Sequence, residues 1–250
     1  GLTNNTAHHS LQSFGVAGVC LSFVISGFLL SLPFARYYLA AGADVSLKRY
    51  FMRRLTRLEV PYLIALLIYF AVKVITRVAT AEDLLPHLIA SMAYMHQFIF
   101  HRTSDVMVVA WSLEIEIQFY LLLPLLTRVF AIRNATVRRS ILVLATLASA
   151  AITAPIQEMW LLKYLHYFLV GFLLVEWYLL NWMANPRRSK FWDVVGVLSW
   201  IALVPSFAYK GGPYIALSCI FAAYVSIFRG VILNRIFTLP VAVTIGGMAY

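Results

Sequence analysis

Long apolar stretches alternate along this chain with short breaks that hold most of its charge. Taking about 20 apolar residues for one crossing of a bilayer, the pattern predicts spans near 14–34, 58–76, 106–127, 140–156, 161–180, 193–209, 213–228 and from 236 onward. The segment 84–100 is also apolar, but it carries Pro86, His87, His96 and Gln97. If it crossed, the arginine-rich break 128–139 would face outward. If it lies in or dips into the outer interface, the breaks 35–57, 128–139, 181–192 and 229–235 share one side and hold fifteen of the twenty Lys and Arg residues. The positive-inside rule makes that side cytoplasmic. The expected fold is all-α, a polytopic transmembrane helical bundle with seven or eight spans. Short connections without an internal repeat make 1–250 a single membrane-embedded domain. Residues 1–13 then lie outside and Tyr250 falls within an apolar run, so the chain reads as an internal piece, truncated at both ends.

Composition excludes the main alternatives. The chain is 62% hydrophobic and 12% charged, against about 25% charged for soluble domains. A β-barrel would alternate polar and apolar residues instead. The net charge of +10 could suit nucleic acid, but the basic residues fall in the breaks between spans, so no nucleic-acid partner is expected. Cys20 and Cys219 both lie inside predicted spans, which argues against a disulfide scaffold. There is no HExxH, CxxC, P-loop or GxSxG, and no metal or bound cofactor is expected.

An ionisable side chain near the bilayer centre costs roughly 2.5–3.5 kcal/mol on the mildest scale, which makes each one a candidate for function. Glu114 and Glu116 lie in Trp111–Pro124, and Glu176 lies in the span 161–180. On a helix, Ser112, Glu116 and Tyr120 share one face while Glu114 and Gln118 lie nearly opposite, so that helix must be buried in protein on both sides. With residue 106 near the outer surface, Glu116 lies about 15 Å deep. It serves either a reaction or a helix-packing hydrogen bond. Glu176, flanked by Trp177 and Tyr178, reads as a partly hydrated interfacial acid, and His166 as a packed hydrogen-bonding residue. In 35–57, Ser46 is a fair N-cap. Beyond it Arg49, Arg53 and Arg57 form a basic stripe beside Arg54, on a helix expected to lie along the membrane surface. Such a cluster asks for anionic lipid headgroups or for a phosphate-bearing ligand, and Arg rather than Lys suits bidentate phosphate binding.

The segment Gly18–Leu29 (GVCLSFVISGFL) resembles GVDLFFVISGFL of the acyltransferase 3 family, integral-membrane O-acyltransferases of surface polysaccharides. Arg53-Arg54-Leu55-Thr56-Arg57 with Pro61-Tyr62 resembles its RRxxRIxPxY motif. Trp111 to Tyr120 resembles WSLxxExQFY, and Gly246–Tyr250 resembles the start of GxxSYxxYLxH. The resemblance implies a bundle of about ten helices that moves an acyl group from cytoplasmic acyl-CoA to a sugar hydroxyl outside, in a bacterial inner membrane. It implies Glu116 as the catalytic acid of the WSLxxE motif. Arg53, Arg54, Arg57, Trp111, Ser112 and Tyr120 are the implied substrate- and donor-binding residues. The family's general-base His, with a basic residue about three turns before it, belongs to a span upstream of Gly1. His8 and His9 stand too close to Gly18 to match it. Three positions depart from the pattern: Cys20 replaces an Asp, Ser22 a Phe and Ala249 a Ser. The rival readings are a proton-coupled transporter using Glu114, Glu116 and His166 as a relay, and a non-catalytic family member.

Overall fold

The computed structural model describes residues 2–153, 160–207, 212–241 and 244, with side chains except at 2–14, 53–55, 57–58 and 153. Within these residues every regular element is helical: α1 (Leu2–Leu39), α2 (Leu47–Ile75), α3 (Ala81–Met92), α4 (His96–Phe100), α5 (Ala110–Leu126), α6 (Ala135–Thr153), α7 (Leu161–Trp177), α8 (Lys190–Ser206), α9 (Gly212–Arg229) and α10 (Ile232–Phe237). A 3₁₀ turn at Thr127–Ala131 extends α5, and a π-helical turn at Tyr178–Trp182 extends α7. Four stretches among the described residues are long and apolar enough to cross a membrane: Gly15–Leu39, Ala135–Ile152, Leu161–Trp182 and Gly212–Arg229. The expected seven or eight spans are not reached by that criterion among the described residues; α5 and α8, at 17 residues each, fall just short of its length.

Two boundaries differ from expectation. The first helix starts at Leu2, so the polar stretch before residue 14 is part of α1 and not a separate outer segment. The basic surface helix and the span after it are one continuous helix, α2, with Pro61 inside. Its start is as expected, because Ser46 accepts a hydrogen bond from the Arg49 amide.

The core is organised around α7, which is buried on nearly every side from His166 to Glu176, as a helix apolar all round should be. Its closest neighbour is α1. A Cβ on Gly171 would stand 2.5 Å from the Val24 carbonyl oxygen, and one on Gly27 would stand 2.3 Å from that of Phe168. Small residues here let two backbones touch, a common device where lipid supplies no hydrophobic drive between helices. Phe23, Phe119 and Phe168 stack beside this crossing, with centroids 4.8 and 3.9 Å apart about Phe168. A second cluster joins α2, α3 and the start of α5 through Tyr62, Leu66, Leu84, Leu88, Val106, Met107 and Ala110. Outward-facing apolar side chains such as Ile64, Leu67, Leu144, Val197 and Ile201 form the lipid-facing surface of an integral membrane protein.

The arginine-rich breaks gather at one end. Arg138 and Arg139 of α6 reach Glu176 and Asn181. The Ser189 amide donates to the Arg229 carbonyl at 2.9 Å, and Arg229 Nε to that of Pro186 at 3.2 Å. α1, which leads into the break 35–57, packs on the 3₁₀ turn. At α8 the Asp193 carboxylate accepts from the amides of Val231, Ile232 and Leu233, which fixes the start of α10. At the other end lie α3, α4 and the loop 101–109. With 12 and 5 residues, α3 and α4 are about 18 and 8 Å long, too short to cross. The segment 84–100 therefore does not cross the bundle.

Candidate active site

Two of the segments that carry the sequence resemblance, Gly18–Leu29 on α1 and Trp111–Tyr120 on α5, meet at one carboxylate. Glu116 on α5 accepts through Oε1 from Ser26 Oγ of α1 at 2.7 Å and from the Tyr120 hydroxyl, one turn along α5, at 2.6 Å. Ser26 and Tyr120 are 2% and 3% exposed, while Glu116 is half-buried. Oε2 makes no hydrogen bond among the described residues, and no cation there pairs with Glu116. Two hydroxyl donors on one oxygen fix the carboxylate's direction and leave the other oxygen open to accept. The Ser and Gly of VISGF thus have separate causes: Ser26 holds Glu116, and Gly27 lets α1 meet α7.

The rest of the motif divides its roles. Trp111 packs against Phe23 of α1 and Tyr164 of α7, with centroids 6.4 and 5.4 Å away. Ser112 does not continue the Glu116 face as a hydrogen-bond partner; its hydroxyl donates to the Val109 carbonyl at 3.0 Å and covers the start of α5. On the opposite side Glu114 accepts from the Gln97 amide at 3.0 Å, and Gln118 accepts from the Leu161 amide at 3.1 Å. The helix is held by protein on both faces, as its polar pattern required. Glu114 Oε1 and Gln97 Nε2 are buried without a hydrogen-bond partner among the described residues. Cys20 is buried in the core.

Of the remaining candidates, Arg53, Arg54 and Arg57 lie on the first turns of α2, at the end where the arginine-rich breaks gather. Their side chains fall outside the described set, as do those of His8 and His9, and Gly246–Tyr250 falls outside the described residues. Glu176 is not a hydrated interfacial acid. It is fully buried and bound by Arg138 Nη2 at 2.6 Å and Arg139 Nε at 2.9 Å. His166 is buried, and among the described residues neither ring nitrogen has a partner, so the expected hydrogen bond is not seen there. Among the described residues no group of His, Cys, Asp and Glu could hold a metal. Sequence reading missed the association of His87 with His96, whose ring nitrogens lie 2.9 Å apart. No local periodicity reports a contact made across the turn between two short helices.

A helical integral membrane protein with a polar site between α1 and α5 is the class that this fold defines. The acyltransferase domain model of the acyltransferase 3 family matches residues 2–250, and the chain belongs to that family. No curated protein and no solved structure matches it. The chain is therefore a membrane acyltransferase by family.

Proposed function

We propose that this protein transfers an acyl group, acetyl in the simplest case, from acyl-CoA at the arginine-rich end to a hydroxyl of a sugar or surface polysaccharide at the opposite end. The arginine-rich end faces the cytoplasm by the positive-inside rule, and the membrane is a bacterial inner membrane. Acyl-CoA is a co-substrate, and no resident cofactor takes part. The observation that carries this reading is the Glu116 carboxylate, aimed by Ser26 and Tyr120 with one oxygen left to accept.

In the proposed reaction the acceptor hydroxyl gives its proton to a base as its oxygen attacks the thioester carbonyl. The carbonyl carbon–sulfur bond then breaks, and the CoA sulfur leaves and takes up a proton. Glu116 orients the base or the acceptor hydroxyl, and the oxyanion that forms needs donors placed before the reaction. Arg53, Arg54 and Arg57 bind the CoA phosphates, to which guanidinium groups donate paired hydrogen bonds. The 1–250 chain acts as one membrane domain in this scheme.

The test is acylation of an oligosaccharide by the purified protein with labelled acetyl-CoA. Arg54→Ala and Arg57→Ala are expected to raise the KM for acetyl-CoA at least about tenfold with a smaller change in kcat, the mark of lost ground-state binding. An unchanged KM in both variants removes the donor role from this helix.

A further inference from the structure

A recess separate from the α1–α5 site lies at the end away from the arginine-rich breaks. A cavity of about 470 Å³ opens between the end of α2, the start of α3 and the loop 101–109, lined by Lys73, Asp83, His87, Arg102 and Asp105 over an apolar floor that includes Leu84. Its volume lies in the range of small-molecule sites. Each polar group is already held on one side. Lys73 Nζ donates to the Asp105 carbonyl. Arg102 Nη2 donates to Asp105 Oδ2 at 2.6 Å, and Asp83 Oδ2 accepts from the Thr80 hydroxyl at 2.6 Å.

His87 is aligned from below. His96, fully buried, faces the Arg102 carbonyl with Nδ1 at 3.1 Å, so that nitrogen donates and Nε2 accepts. His87 then donates from Nδ1 to His96 at 2.9 Å, and its Nε2 stands 3.3 Å from Arg102 Nη2 and 3.2 Å from Asp105 Oδ2. The same turn ties the recess to α5, because the amide of Gln97 donates to Glu114 Oε2.

What remains unengaged among the described residues is a balanced set. Lys73 keeps ammonium hydrogens, Arg102 keeps its Nε and Nη1 hydrogens, and Asp83 and Asp105 each keep Oδ1 as an acceptor. The formal charges of Lys73, Arg102, Asp83 and Asp105 cancel. A free anion would meet two carboxylates here and a free cation two basic groups. A ligand whose neighbouring groups each donate and accept, as the hydroxyls of a sugar do, satisfies both kinds of partner.

We propose that this recess is a glycan subsite, binding a neutral, hydroxyl-rich sugar unit of the acceptor outside the bilayer. The word acceptor rests on the acyl-transfer reading; the binding itself does not. The probes are a neutral gluco-tetrasaccharide and its uronate counterpart, added to the whole purified protein in lipid nanodiscs. Binding is read by saturation-transfer NMR and acylation by acceptor and donor KM. Arg102→Gln and Asp83→Asn both change partly or fully exposed side chains, and a melting temperature checks each fold. The expected result is a tenfold or greater weakening of neutral-sugar binding and a matching rise in acceptor KM in both variants, with donor KM and melting temperature unchanged. Tenfold preference for the uronate, unchanged binding in both variants, or no binding of the neutral sugar to the unaltered protein overturns the proposal. Acyl transfer with an acceptor KM indifferent to both variants sinks the subsite alone. Pocket-dependent sugar binding without acyl transfer sinks the acyltransferase reading and leaves the subsite standing.

Discussion

Glu116→Gln is expected to lower acyl transfer by a factor of about 10²–10⁴, the range that proton transfer by a positioned base contributes and that is lost when the base or the acceptor hydroxyl is no longer oriented. The substitution isolates charge from shape. A glutamine keeps an oxygen that can accept from Ser26 and Tyr120, so the packing of α5 on α1 is preserved. Removing the donors one at a time should cost less. Ser26→Ala and Tyr120→Phe each delete one hydrogen bond to Oε1, worth about 1 kcal/mol, or roughly a fivefold change in rate. Rates should therefore fall slightly in the two donor variants and steeply in Glu116→Gln, with all three proteins eluting as the unaltered protein does. Wild-type transfer by Glu116→Gln would reduce the carboxylate to a packing contact between two helices.

The second large effect concerns stability. Glu176→Ala should lower the unfolding free energy by about 3–5 kcal/mol, because it strands a buried guanidinium without its counter-charge. Arg138 is 2% exposed and reaches Glu176 through Nε and Nη2, while its Nη1 donates to the Ile132 carbonyl at 2.5 Å. Arg139 completes the group through Glu176 Oε2, Asn181 and the Trp177 face, 5.5 Å from the ring centroid. Replacing Arg138 and Glu176 together by Met should recover much of the loss, since apolar side chains of similar size often match or exceed a buried ion pair. Thermal unfolding in detergent reads both variants. A melting temperature for Glu176→Ala equal to that of the unaltered protein would show that the pair is not buried as described.

What the sequence made legible follows from the range over which each signal acts. The helices could be read from apolar length, and α7 was expected at 161–180 where it and its π-helical turn run to Trp182. The start of α1 could not be read. Thr3-Asn4-Asn5-Thr6 has no apolar pattern, yet a helix already nucleated adds residues at little cost. The division of α2 into a surface helix and a span followed charge, which marks depth in the membrane and not where a helix ends. At the candidate site, Ser26 and Glu116 each stood in a recognisable segment, but their bond joins residues 90 positions apart. Glu176 was misjudged because its aromatic neighbours Trp177 and Tyr178 suggested an interface, while the arginines that neutralise it lie 37 and 38 residues away. His87 and His96 come together because Tyr94, at φ 56°, turns the chain between α3 and α4.

The most direct measurement places donor and acceptor on known sides of a sealed vesicle. With the purified protein inserted in one orientation, labelled acetyl-CoA confined to the side of the arginine-rich end and oligosaccharide confined to the other, label is predicted to appear on the sugar. Exchanging the two compartments should abolish it. Transfer only when both substrates share one compartment would contradict the proposal that donor and acceptor enter from opposite ends of the bundle.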